Sequence, residues 1–279
     1  MGLKSVRRAE RRQLASAPVF QEIGVGVFRR RYESLDCNVG VVVGEDGLLI
    51  VDTRATLAEG DELRADLGSF SPLPVRWVVN THWHWDHVFG NARFPEAELW
   101  GHRRAREVLL SRPEEMKEGA KRWLDPARHA EIDAVEIVAP QMTFSDRVSI
   151  DIGRAVDLSF HGLGHTDADI RILVGDADVM FLGDLTEEGG PPSFGDSYPI
   201  IWPLTLRLAL GDATGVIVPG HGDVVDRLFV EQQHGELVAV AELAAACISG
   251  DMSVGDAARR GPFPAEVMTG ALERAIEVG

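Results

Sequence analysis

Residues 81–87 read Thr81-His82-Trp83-His84-Trp85-Asp86-His87, and the rest of the chain is best read outward from them. Three histidines and an aspartate within six residues are too dense for ordinary core use. Imidazole nitrogen and carboxylate oxygen are the donors that zinc, iron and manganese prefer. On an extended segment, side chains at i and i+2 point to one side, so His82 and His84 can pinch a single ion. Asp86 and His87 lie past a turn where the chain begins a helix, and so face a neighbouring ion. The bland alternative is a solvated histidine-rich loop. Against it, the stretch directly follows Arg76-Trp77-Val78-Val79-Asn80, an apolar run typical of a strand buried on both faces.

Three further ligand candidates follow, each beside glycine and each after an apolar strand. They are Gly162-Leu163-Gly164-His165-Thr166, Met180-Phe181-Leu182-Gly183-Asp184 and Val216-Ile217-Val218-Pro219-Gly220-His221-Gly222. A strand followed by a glycine-hinged polar residue is how a sheet presents ligands along one edge. Singly, each is an ordinary turn histidine or capping aspartate. Together and in this order they complete two coordination sets.

The order HxHxDH, then the glycine-flanked His165, then GD, then PGHG resembles the metallo-β-lactamase superfamily over roughly residues 20 to 230. The resemblance implies an α/β fold, the αβ/βα four-layer sandwich: two mixed β-sheets face to face, helices outside, and a metal site at one sheet edge. It implies a first metal on His82, His84 and His165, a second on Asp86, His87 and His221, and Asp184 bridging the two. Two divalent ions about 3.5–4 Å apart need an anionic bridge, which suits that role for Asp184. The expected cofactors are two Zn2+, with Mn2+ or Fe2+ also compatible with such donors. The expected reaction is hydrolysis by a metal-bridging hydroxide, with Asp86 orienting it and passing a proton to the leaving atom.

Other positions carry weaker signals. Asp52, ending an apolar strand, matches a residue that in the family supports the site without binding metal. His161, four residues before His165, reads as a structural residue or one supporting a ligand, rather than a ligand itself. His102, His129 and His234 have no partner motif. Trp83 and Trp85 depart from the small residues more often found between the family's histidines; packing is the default for tryptophan, and a wall of the substrate pocket is the functional alternative. Tyr198, in the loop after Asp184, is a candidate for an oxyanion hydrogen bond. Asp167 and Asp169 read as shaping the loop that carries His165.

The remaining organisation is that of one α/β catalytic domain over residues 19–230. A hairpin is expected at 37–52 around Asp46-Gly47, a helix at about 55–67, and two or three short helices over 103–130, broken at Pro113 and Pro126. A strand-rich stretch follows at about 142–182, a helix at 201–210 and a strand at 215–218. Residues 231–279 read as C-terminal helices packed on the same domain, interrupted at Gly250 and at Gly261-Pro262-Phe263-Pro264. Removing residues beyond about 250 is expected to change stability or specificity while leaving the metals bound. A basic, flexible arm is expected over residues 1–18, with Lys4, Arg7, Arg8, Arg11 and Arg12 against Glu10.

The formal charge of −16 repels phosphate backbones, so a nucleic-acid partner is not expected, and a nuclease reading is disfavoured. No run of about 18 apolar residues occurs, so no membrane span is expected. Two cysteines, Cys37 and Cys247, exclude a Cys-based zinc site, and no export signal is read, so a cytoplasmic chain is expected. The partner is then a small-molecule substrate, with homo-oligomerisation left open. Within the resemblance, the tail lacks the basic residues with which the glyoxalase II branch grips glutathione. The flavodiiron branch places Glu where this chain has His84. The reading that remains is hydrolysis of a small-molecule ester, thioester or lactone. Alternatives are a mononuclear iron persulfide dioxygenase-like enzyme and a β-lactam hydrolase.

Overall fold

In the computed structural model, which describes residues 19–212 and 214–279, apolar strands alternate their side chains between two cores. The basic arm expected over residues 1–18 lies outside the described residues. Strands β1 (Gln21–Gly24), β2 (Val27–Tyr32), β3 (Cys37–Val43) and β4 (Leu48–Val51) form an antiparallel meander. The β3–β4 hairpin is the one expected, with Val43 opposite Leu48 and the Gly44 N–H donating to the Gly47 carbonyl. Helix α1 (Leu57–Phe70) crosses to β5 (Val75–Val79), which lies parallel to β4. The helix starts two residues later than expected because Thr56 caps it, its Oγ1 accepting the Glu59 N–H at 3.2 Å.

After α2 (Trp85–Val88) come β6 (Glu98–His102), α3 (Arg103–Ser111), α4 (Pro113–Lys121), α5 (His129–Asp133) and β7 (Met142–Phe144). Pro113 opens α4 at its first position, where the missing N–H costs nothing. The second sheet contains β8 (Arg147–Asp151), β9 (Ala155–Phe160), β10 (Ile170–Val174), β11 (Val179–Gly183) and, after α6 (Trp202–Leu210), β12 (Val216–Pro219). The chain ends in α7 (Arg227–Ile248), α8 (Val254–Ala258) and α9 (Ala265–Val278). Both sheets are mixed: seven strands in order β1 to β7, and five in order β12-β11-β10-β9-β8, with β12 parallel to β11.

The period-2 alternation sets the layers. Leu49 and Val51 of β4 meet Phe181 and Val218 between the sheets, while Leu48 and Ile50 turn outward beneath Leu63 and Leu67 of α1. On the other side Met180 and Leu182 of β11 turn outward beneath Leu206, Val240 and Leu272 of α6, α7 and α9. Helix, sheet, sheet, helix is the four-layer αβ/βα sandwich, and the C-terminal helices share a core with β11. Helices α3 to α5 form a smaller cluster around Val88, Phe89, Leu109 and Ile132. Among the described residues no helix is long and apolar enough to cross a membrane.

Candidate metal centre

The site assembles at one edge of the sandwich. β5 delivers the 81–87 stretch, with His84 at the N-cap of α2 and Asp86 and His87 in its first turn. His165 comes from the loop between β9 and β10, Asp184 follows β11, and His221 follows β12. All seven expected ligands converge. The donor atoms of His82, His84, His165 and Asp184 lie within 4.8 Å of one another, as do those of Asp86, His87 and His221. Asp184 touches both sets: Oδ2 is 3.4 Å from His165 Nε2 and 3.3 Å from His221 Nε2, and Oδ1 is 3.3 Å from His87 Nε2. Gly220 makes this approach available, because a Cβ there would stand 1.7 Å from Asp184 Oδ1.

The outer nitrogen of every ligand histidine has an acceptor, which fixes the ring proton on the far side. His87 Nδ1 donates to Asp52 Oδ2 at 2.9 Å. Thr81 donates to the same carboxylate through its N–H (2.8 Å) and hydroxyl (2.7 Å), and its Oγ1 in turn accepts from His82 Nδ1 at 3.0 Å. His165 Nδ1 donates to the Ser193 carbonyl at 3.1 Å and His221 Nδ1 to the Leu35 carbonyl at 2.8 Å. His84 Nε2 lies 3.2 Å from Asp196 Oδ2. The inner nitrogens face each other at 2.7 Å between His165 and His84 and at 3.3 Å between His87 and His221, so in the neutral form that binds metal the rings aim their lone pairs at one another. Lone pairs crowded in this way call for a cation between them. Two further buried atoms, His82 Nε2 and Asp184 Oδ1, make no hydrogen bond, so the donor set fits divalent metal ions of the kind imidazole and carboxylate bind.

The electrostatics agree. Burial holds His82 well below the usual imidazole range and brings His165 down to about 3, so both present neutral rings. Burial opposes charge on His87 and His221, yet their neighbours, Cys37 and the carboxylates of Asp184 and Asp86, outweigh it and hold both well above that range. Burial likewise opposes charge on Asp184 and Asp86; the surrounding histidines overcome it, keeping Asp184 well below the carboxylate range and Asp86 at about 2. The cluster demands positive charge at its centre.

The supporting positions sort differently. Asp52 pairs with His87 directly and reaches His82 through Thr81. His161 takes the structural one of its two readings and is not placed to support a ligand: its Nε2 pairs with Ser159 Oγ at 2.9 Å on the second sheet, and no candidate ligand is among its partners among the described residues. Tyr198 is also misplaced for an oxyanion contact, since it does not line the cavity and its ring lies 5.7 Å from the Arg274 guanidinium. Asp169 accepts from the Thr166 N–H and hydroxyl, shaping the His165 loop, and Asp167 accepts from Trp83 Nε1 at 3.0 Å. His102 stacks on Phe160 at 4.2 Å, away from the ligands.

A cavity of about 670 Å³ opens over the ligands, and both Trp83 and Trp85 line it. α4 and the turn that follows contribute to its wall. Sequence reasoning missed four contributors. Glu187, three residues after Asp184, lines the cavity, and burial pushes its carboxyl up to about 8; an acid next to the GD motif was the available signal. Asp196 supports His84 from a loop with no motif. The carbonyls of Leu35 and Ser193 are backbone atoms, which no side-chain pattern can announce.

The family model described as metallo-beta-lactamase superfamily matches residues 33–221. A linear primary-alkylsulfatase from Pseudomonas sp. (strain ATCC 19151) is 24% identical over 219 residues, 66% of this chain and 41% of its own. Among solved structures, a stereoselective inverting sec-alkylsulfatase from Pseudomonas sp. superposes with a TM-score of 0.76 at 15% identity, over 93% of this chain and 50% of that one. A metallo-beta-lactamase from Pontibacter korlensis superposes with a TM-score of 0.63 at 18% identity, over 78% and 98%. The chain thus spans half or less of the alkylsulfatases it resembles. With its ligand order, its sandwich and a family match over most of its length, the chain belongs to the metallo-beta-lactamase superfamily.

Proposed function

We propose that the chain is a dinuclear metal-dependent hydrolase of a small-molecule ester, thioester or lactone. The observation that carries this reading is the presence of two complete ligand sets with Asp184 in contact with both. His82, His84 and His165 would hold one ion and Asp86, His87 and His221 the other, with zinc favoured and manganese or iron compatible. Bound there, the two ions supply Lewis acidity and a water that ionises near neutral pH. Asp86, a half-buried carboxylate on the cavity wall, would hold the attacking water by a hydrogen bond and then carry its proton toward the leaving atom. Asp52 and Thr81 keep the His87 and His82 rings in the tautomer that binds, and the cavity walls restrict bulk water.

Sulfate-ester hydrolysis is the second reading, favoured by the likeness to the linear primary-alkylsulfatase. The mononuclear oxygenase alternative makes poor use of the second set of Asp86, His87 and His221.

Elemental analysis of the purified chain tests the reading, followed by a panel of carboxylic esters, thioesters, lactones, β-lactams and alkyl sulfates. About two zinc or manganese ions per chain are expected, with hydrolysis lost on chelation and restored by the metal. One iron per chain, oxygen consumption and no hydrolysis would overturn it.

A further inference from the structure

Helix α4 and the turn after it present one face to the cavity. The lining positions Arg112, Glu115, Met116, Gly119, Arg122 and Trp123 recur every three or four residues, the spacing of one helical stripe. Met116 anchors the stripe, 8% exposed in the cluster with Val88, Leu109 and Ile132.

Three features of this face have no structural purpose within the chain. Gly119 occupies a helix interior, where glycine is disfavoured relative to alanine. A Cβ at that position would meet nothing within 4 Å, and its φ is outside the left-handed region, so neither packing nor backbone geometry requires glycine. What the missing side chain does is leave room in the cavity. Trp123 lines the same cavity while remaining 72% exposed, an unusual place for so large an apolar group. The guanidinium groups of Arg112 and Arg122 make no hydrogen bond or ion pair among the described residues. Carboxylates are abundant in this acidic chain and partner other arginines, such as Arg31 with Asp36 and Arg128 with Glu59 and Glu131. Glu115, on the same face, offsets one guanidinium and leaves one net positive charge. Trp83 and Trp85, on either side of His84, line the same cavity and pack against the cluster that holds Met116.

We infer that this face of α4 selects the substrate: its body, away from the scissile bond, is a bulky aromatic or long-chain apolar group carrying a single negative charge. The apolar body seats over Gly119 among Trp123, Trp83 and Trp85, which line the same cavity, where apolar area leaves water. The anionic group is held by Arg112 or Arg122. The nine residues of α4 span about 14 Å, so a two-carbon ester leaves most of this surface uncovered. This inference rests on the hydrolase reading for what happens at the metal end, and on the cavity wall alone for what binds beside it.

The test is calorimetric binding of 4-(2-naphthyl)butanoate and of its neutral primary amide to the metal-replete chain, with metal content measured on every variant. The carboxylate is expected to bind about tenfold more tightly than the amide, and Arg112→Ala with Arg122→Ala to erase that preference while leaving the amide within about twofold. Gly119→Leu is expected to weaken both probes by about tenfold with the metals retained, and Trp123→Ala, at an exposed position that does not endanger folding, to weaken both in the same direction. A carboxylate preference that survives the double substitution would place the anion at the metal end and overturn the arginine assignment. Equal binding of both probes to the unaltered chain and to Gly119→Leu would overturn the whole inference. Hydrolysis of 4-nitrophenyl acetate separates the two readings. Turnover of that short ester without probe selectivity sinks the inference alone, and probe selectivity without turnover of any tested ester sinks the hydrolase reading alone.

Discussion

At the scale of single residues, the metal centre depends on atoms that never touch a metal. Asp52 accepts three hydrogen bonds, two from Thr81 and one from His87, and does so from a left-handed backbone conformation with φ 64°. Leu35, whose carbonyl holds His221, is similarly strained at φ 61°. Such strain costs about 1–3 kcal/mol per residue and persists where the surroundings over-determine it. Asp52→Asn replaces one carboxylate oxygen with an N–H that cannot accept from His87 or Thr81. It is expected to weaken metal binding or activity by about 10–100-fold, measurable by competitive chelator titration. Gly220→Ala puts a methyl 1.7 Å from Asp184 Oδ1, and is expected to lower metal content to one ion or none while the chain still folds. His84→Ala or Asp184→Asn is expected to abolish turnover and lower metal content; full activity with both ions lost would refute the mechanism. The seven side chains that the structure brings together were legible in the sequence as candidate ligands, because the residue types able to bind metal are few and occur here in a fixed order. Tyr198 shows that closeness along the chain is not closeness in space, and His161 resolves to the structural one of its two readings. Tyr198 turns toward Arg274, and His161 toward Ser159 on its own sheet.

At the scale of elements, strands were easier to read than helix ends. Apolar runs such as β3, buried from Cys37 to Val42, and β11, buried throughout, declare themselves by composition. Helix boundaries depend on single caps, which is why α1 starts at Leu57 behind Thr56. The expectation that 103–130 would be short helices covering something was correct in kind, since α3 to α5 surround their own core and α4 walls the cavity. What they cover could not be read, because a helical stripe declares its period and not its neighbour. Two measurements belong here. Gly119→Ala is expected to raise stability by about 0.5–1 kcal/mol through helix propensity, seen as a higher denaturant midpoint. Asp226 caps α7 by accepting the Phe229 N–H at 3.0 Å, and Asp226→Ala is expected to cost about 1 kcal/mol by the same assay.

At the scale of the whole molecule, the C-terminal helices do more than was expected of them. Met268 and Leu272 of α9 are fully buried with Trp202, and Arg274 Nε donates to the Ser197 carbonyl at 3.0 Å. Arg274 thereby braces the 193–198 loop, which supplies the Ser193 carbonyl for His165 and the Asp196 carboxylate for His84. Deleting residues beyond 250 is expected to lower the melting temperature. It should also weaken the ion of His82, His84 and His165 more than that of Asp86, His87 and His221, as read by two-step metal titration. The sequence showed that the tail was helical, but not that its last arginine reaches the loop that supports His84 and His165.

Each ligand set also joins the two halves of the sandwich. His82, His84, Asp86 and His87 follow a strand of the first sheet, while His165, Asp184 and His221 follow strands of the second. An ion in either set is therefore a rivet through both sheets, and its binding energy counts toward holding them closed. At a free metal concentration one hundred times the dissociation constant, each rivet adds about 2.7 kcal/mol, or about 5–10 °C of melting temperature in a chain of this size. The chain would thus register the metal supply of its surroundings. Where metal is scarce it opens more often and meets proteases sooner, so its abundance, as well as its activity, would follow the ions it binds.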